Sequence, residues 1–155
     1  MLLAGTGHRP TKLGGYSREA TSHVFRVAAH ALDELKPTAV ISGMALGWDS
    51  ALAFAALEAQ IPLVCAIPFR GQESQWSPKS QEWYHKVLNA ATKVVIVSPG
   101  EYSAAKMQVR NEWMVDHADH IAALWDGSSG GTSNCVRYAR AKKKPITNFW
   151  EDFLK

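Results

Sequence analysis

The apolar positions of this chain fall into two patterns that alternate from one end to the other. Short apolar runs of four to six residues lie at Met1–Thr6, Thr38–Ser42, Leu63–Ile67, Lys93–Val97, Ile121–Trp125 and Pro145–Asn148. Each is bounded by Pro, Gly, Ser or Asp, the pattern of a short buried strand. Between them run longer stretches with apolar residues three and four apart. The clearest is Ala20–Leu35, where Val24, Val27, Ala28, Ala31, Leu32 and Leu35 share one helix face. Ser17 is its expected N-cap, and Pro37 stops it. Helices are also expected over Asp49–Gln60, from Ser77-Pro78 to Asn89, over Ala104–Ala118 and over Thr132–Ala141, with a helical turn at Phe149–Leu154.

Strands alternating with helices imply parallel strands joined by crossover helices. The expected fold class is therefore α/β: a single Rossmann-like, open, mainly parallel sheet with helices on both faces. Residues 1–155 are expected to form one domain, with no repeat, low-complexity segment or linker.

In such a sheet, ligands bind beyond the carboxyl ends of the strands. The loops there are Gly5–Pro10, Ser42–Asp49, Ile67–Gln72, Ser98–Tyr102 and Trp125–Thr132, and four of these five combine Gly with Ser, Thr or Asp. The strongest local signal is Asp126-Gly127-Ser128-Ser129-Gly130-Gly131-Thr132. Glycines let backbone approach a phosphate, and a helix that starts there presents bare N–H groups at its positive end. An ordinary tight turn with Thr132 as N-cap explains the same residues equally well. No P-loop lysine follows, and the spacing is not a dinucleotide fingerprint.

Other candidates lie on the same edge. Gly7, His8 and Arg9 leave the first strand. Gly43, Met44 and Gly47 form a second glycine-punctuated turn, with Asp49 starting the helix after it. Arg110 shares a helix face with Met114. It suits a phosphate, though an ion pair with Glu112 or Asp116 is the plainer reading. Glu112 and Asp116 lie four apart, hence on one helix face, and such a pair suits acid–base work or simply faces water. His117 and His120 lack a third ligand, so neither a metal site nor a cofactor is expected.

Composition narrows the partners. The chain is 46% hydrophobic and 20% charged, as expected of a globular protein with a core. No run approaches the roughly 18–20 apolar residues of a membrane span, and MLLAGTGHRP lacks the pattern of a signal peptide. Cys65 and Cys135 have no partner spacing, which fits a cytoplasmic protein. Cys65 reads as core. Cys135 reads as a packed residue, with activation at a helix N-terminus as the alternative. Net charge is only +3, and the one basic cluster, Arg137 to Lys144, reads as a helix end rather than a nucleic-acid surface. Of six tryptophans, Trp48 and Trp76 sit in polar loops, where one would be placed to stack on a base.

Together these segments resemble a known group. Met107-x-x-Arg110-x-x-x-Met114, Ala118-Asp119, an apolar strand and Gly130-Gly131-Thr132 look like the SLOG superfamily. That group includes the LONELY GUY-type phosphoribohydrolases and DNA-processing protein A. The Ser42–Asp49 turn is similar to the S-G-x-A-x-G-x-D segment of the latter. The strings TGHRP, RNEWMVDHAD and WDGSSGGT most resemble a bacterial and phage branch that includes YpsA-like proteins. The resemblance implies a nucleotide or nucleotide-derived small molecule as ligand, and a homo-oligomer. Its ligand would lie on Gly7, His8, Arg9, Gly43, Met44, Gly47, Arg110, Asp126, Gly127, Ser128, Gly130, Gly131 and Thr132. The phosphoribohydrolase pattern M-x-x-R-K-x-x-M and P-G-G-x-G-T-x-x-E is only partly kept: Asn111 replaces its Lys, and Cys135 stands where its catalytic Glu would be. Ligand binding is thus the first expectation. A nucleotide N-glycosidase with a relocated catalytic acid, Glu112 first and then Asp49, Asp126 or Asp116, is the alternative, and a DNA-associated protein the second alternative.

Overall fold

The computed structural model describes all 155 residues, Met1–Lys155. In chain order the elements are β1 (Leu2–Gly7), α1 (Arg18–Leu35), β2 (Ala39–Ser42), α2 (Trp48–Glu58), β3 (Leu63–Ile67) and α3 (Pro78–Ala90). There follow β4 (Lys93–Ile96), α4 (Ala104–His117), β5 (His120–Leu124), α5 (Gly131–Ala141), β6 (Ile146–Asn148) and α6 (Trp150–Leu154). Every predicted element is present, with ends moved by only one or two residues. The six strands form one sheet in the order β4-β3-β2-β1-β5-β6, and every pairing is parallel, where a mainly parallel sheet was expected. No helix is long and apolar enough to cross a membrane.

The strand order places the site. From β1 the chain steps outward through β2 and β3 to β4. Helix α4 then carries it back across the sheet to β5, on the other side of β1. The loops after β1 and β5 therefore leave in opposite directions and open a crevice between them.

A parallel sheet needs cover on both faces, and its period-two pleat sorts the side chains accordingly. Leu3, Val40, Cys65 and Ala122 join a cluster of 22 buried residues with α1 and α2. Their neighbours Ala4, Ile41, Ala66 and Ile121 join a cluster of 9 with Met114 and Val115 of α4 and Cys135 and Ala139 of α5. Both cysteines are free and buried. Burial pushes the Cys65 thiol up to about 12 and that of Cys135 up to about 11. At Cys135, desolvation thus outweighs its place in the first turns of α5, and the residue packs rather than reacts.

The expectation that Trp48 stacks on a base is corrected. Trp48 is fully buried, and its indole N–H donates to the Ala122 carbonyl across the sheet at 3.0 Å. Trp76 lies edge-on against Tyr84, with ring centroids 5.2 Å apart. Trp48 also explains the glycines that end β1. A Cβ on Gly7 would lie 2.5 Å from Cδ1 and 2.6 Å from Cβ of Trp48, and one on Gly5 would overlap Leu52. Both glycines let α2 lie close to the first strand. The basic cluster is likewise spent on packing: Arg140 lies over the Trp125 ring, Lys142 lies over Tyr138, and Lys144 donates to the Ala118 carbonyl.

The Gly7 contact can be tested. Gly7→Ala forces a methyl group against Trp48 and should lower stability by roughly 1–3 kcal/mol, the usual range for overpacking. Urea unfolding measures this, and an unchanged midpoint would contradict the close approach.

Candidate functional site

The crevice between the β1 and β5 loops is a polar cleft of about 310 Å³. Its walls come from Gly5 to Arg9, Thr11 and Lys12 at and after the end of β1, Ala45 and Asp49 before and in α2, Met107, Arg110 and Asn111 on α4, and Ser128 to Ser133 at the start of α5. No Phe, Tyr or Trp lines it.

Arg110 forms its floor. The residue is 3% exposed and shares its buried helix face with Met114. Its Nη1 donates to the Gly43 carbonyl at 2.5 Å and to the Ala66 carbonyl at 3.2 Å, and its Nε donates to Asn111 Oδ1. These bonds tie α4 to the carboxyl ends of β2 and β3. The plainer expectation, an ion pair with Glu112 or Asp116, is not what holds it. A cation below a sheet edge is instead solvated by carbonyl dipoles. Its second terminal nitrogen makes no hydrogen bond to the protein, and the guanidinium lines the cleft.

Asp49 faces the same space. It too is buried, and its Oδ2 accepts the Ala45 N–H at 3.4 Å. The turn before it is fixed by Ser42, whose hydroxyl donates to the Asp49 carbonyl and accepts the Met44 N–H. Gly43 sits between acid and base: a Cβ there would lie 2.6 Å from Arg110 Nη1 and 2.9 Å from Asp49 Oδ2. Burial raises the Asp49 carboxyl above its ordinary value, and the nearby Arg110 charge and the Ala45 N–H only partly oppose this.

The two loops are stitched by a chain of polar contacts. His8 Nε2 lies 2.9 Å from Asp126 Oδ1 and 3.0 Å from the Asp126 amide. The amide and hydroxyl of Ser128 donate to the same carboxylate oxygen, and Lys12 donates to the Ser128 hydroxyl. Those Ser128 bonds, with His8 behind them, hold the Asp126 carboxyl well below the usual range.

The start of α5 differs from those of α1 and α3. The latter are capped by serine hydroxyls, Ser17 to the Ala20 N–H and Ser77 to the Ser80 N–H. The N-cap of α5 is Gly130, with φ +140 and no side-chain cap. Thr132 lies inside the first turn, so the expectation of Thr132 as N-cap is corrected. The first amides of α5 face the cleft instead.

The structure sorts the other candidates. Gly7, His8, Arg9, Ser128, Gly130, Gly131 and Thr132 line the cleft with Arg110 and Asp49. Gly43 lies behind Arg110, and Met44 is buried in the larger core at φ +61. Gly47 packs against the backbone of His8 and Arg9, and Asp126 with Gly127 forms the turn that braces His8. Glu112 is not on the cleft. Two helix positions turn it some 200° away from Arg110, and there it accepts a bond from Gln108. Lys12, Asn111 and Ser133 line the cleft without having been singled out. Lys12, three residues after Arg9 on the same strand-end loop, was the readable one.

Comparison with known proteins agrees with this architecture. The profile of the YspA SLOG family (YpsA) matches residues 3–150, and the chain belongs to that family. It is similar to the SPbeta prophage-derived protein YoqJ of Bacillus subtilis (strain 168): 39% identical over 116 residues, 64% of this chain and 68% of that protein. Its fold matches DNA processing protein A (DprA) from Streptococcus pneumoniae with a TM-score of 0.69 and 19% identity. That match covers 94% of this chain and 49% of the other, so the chain spans about half of that protein's length. It also matches the molybdenum cofactor carrier protein of Chlamydomonas reinhardtii, with a TM-score of 0.59 and 14% identity over 95% of this chain and 74% of that one.

The raised Asp49 carboxyl has a measurable consequence. Below the ordinary value of 3.8, the group is protonated in both folded and unfolded chains. As pH rises past it, the unfolded chain loses the proton first, so the folded state loses stability. Asp49→Asn keeps an acceptor for Ala45 and does not titrate. The unfolding free energy of the variant relative to wild type should therefore rise from about pH 4 towards neutrality. A gap that stays flat with pH would contradict the raised carboxyl.

Proposed function

We propose that the cleft binds the phosphate of a nucleotide or nucleotide-derived ligand, seated on the first amides of α5 beside Arg110. The observation that carries this reading is Gly131. Its φ is not in the left-handed region, and a Cβ there would meet nothing within 4 Å. Folding therefore does not require glycine at this position, whereas a ligand resting on the helix N-terminus does. The charges around it support an anion: Arg9, Lys12 and Arg110 line the cleft against the single carboxyl of Asp49. The fold alone does not choose the ligand, since its neighbours carry names as different as DNA processing protein and molybdenum cofactor carrier.

A second reading rests on Asp49. A buried carboxyl with a raised pKa on the wall of a cleft of about 310 Å³ suits a general acid. In this reading the protein cleaves an N-glycosidic bond: Asp49 protonates the departing base, water forms the new bond to the anomeric carbon, and the proton that water gives up returns to the Asp49 carboxylate. Glu112, turned away from the cleft, takes no part.

Calorimetric titration with nucleoside monophosphates tests the first reading. Gly131→Ala should cut affinity at least tenfold while stability stays level or rises by up to about 1 kcal/mol. Equal affinity in the variant would move the phosphate elsewhere. For the second reading, wild-type protein should release free base from a nucleoside monophosphate, and Asp49→Asn should not. Base release that survives the substitution would exclude Asp49 as the acid.

A further inference from the structure

A second and larger cavity, about 620 Å³, opens between α1, α2 and the start of α3. Its character is the reverse of the cleft's. Phe25 and Phe54 lie 5.1 Å apart by ring centroids, and Phe54 and Trp83 lie 6.5 Å apart, so three rings follow one another along the groove. Tyr16 at its mouth is 67% exposed, and Phe54 is 37% exposed. Arg18 and Lys79 line it as well, and no acidic side chain does.

Only a ridge separates groove from cleft. In the loop after β1, Arg9, Thr11 and Lys12 face the cleft, while Pro10 and Leu13 face the groove. In the turn before α2, Ala45 faces the cleft, while Leu46 and Gly47 face the groove. The two segments touch. The Trp48 N–H donates to the His8 carbonyl at 3.2 Å, and Gly47 leaves no room for a side chain against it. A ligand that reaches both cavities must cross this ridge.

The division of chemistry says what such a ligand carries. The cleft offers amides and cations but no aromatic wall for a base. The groove offers aromatic faces with its own pair of cations. Base–aromatic stacking beside a basic track is the general solution for holding a nucleotide by its base and backbone. We propose that cleft and groove are two halves of one site, taking a 5′-phosphorylated dinucleotide whose terminal phosphate lies on α5. Its distal base lies among Phe25, Phe54 and Trp83, with Arg18 and Lys79 beside the distal nucleotide. This rests on the phosphate reading of α5, and it extends the ligand class from a mononucleotide to one with two separated anionic centres.

The test compares AMP, ApA and pApA by calorimetry and by tryptophan fluorescence. The dinucleotide pApA should bind at least tenfold tighter than AMP and should quench Trp83, a signal absent in Trp83→Phe. ApA, which lacks the terminal phosphate, should bind more weakly than pApA. Lys79→Glu, a change of a surface charge, should remove most of the gain of pApA over AMP and leave AMP binding unchanged. Phe54→Ser should do the same, with thermal melting used to confirm folding. If AMP binds but pApA binds no tighter, or if the gain survives both groove substitutions, the two-part site is wrong and the phosphate reading stands. If neither AMP nor pApA binds, the phosphate reading fails and takes the two-part site with it.

Discussion

A single buried guanidinium sets the geometry of this protein's carboxyl edge. Stripping a charge of water costs several kcal/mol unless dipoles or an opposite charge replace the solvent. Arg110 is given both: the carbonyls of Gly43 and Ala66, the Asn111 amide oxygen, and Asp49 beside it. Meeting that requirement brings α4, the ends of β2 and β3, and the first turn of α2 to one point. It also dictates Gly43, because any side chain there would collide with both members of the pair. The cleft is what remains above this arrangement, with α5 opening onto it from the other side of the switch point.

Desolvation at the same point has chemical consequences. It raises Asp49 and lowers Arg110 from their ordinary values. Arg110 keeps its charge, and an anion entering the cleft would meet it. The glycine-rich turn before α5 sits opposite Met107, Arg110 and Asn111 of α4.

Much of this was legible in the sequence, and the rest was hidden for identifiable reasons. Short apolar runs separated by helical periodicity led to six parallel strands, and the glycine-rich loops marked the edge where the cleft lies. Which loop residue faces in or out was not legible. Trp48 stands in a polar-looking turn, yet it is the first residue of α2, and the helix buries it under Gly5 and Gly7. Gly7, read as a glycine for a ligand, lines the cleft and also admits Trp48 on its other side, a second role that sequence does not show. Glu112 was drawn in by its nearness to Arg110, but two residues along a helix point to nearly opposite sides. Thr132 has the chemistry of an N-cap, but Gly130 takes the position with a backbone angle open only to glycine. The aromatic groove was unreadable because Tyr16, Phe25, Phe54 and Trp83 come from three separate segments.

The central claim is that the uncapped start of α5 is where an anion rests. Amide chemical shifts read that directly. On titration with AMP, the backbone N–H resonances of Gly131, Thr132 and Ser133 should move together and saturate, accompanied by the Arg110 side-chain Nε–H. Saturable shifts that leave those three amides in place would put the ligand elsewhere and contradict the account.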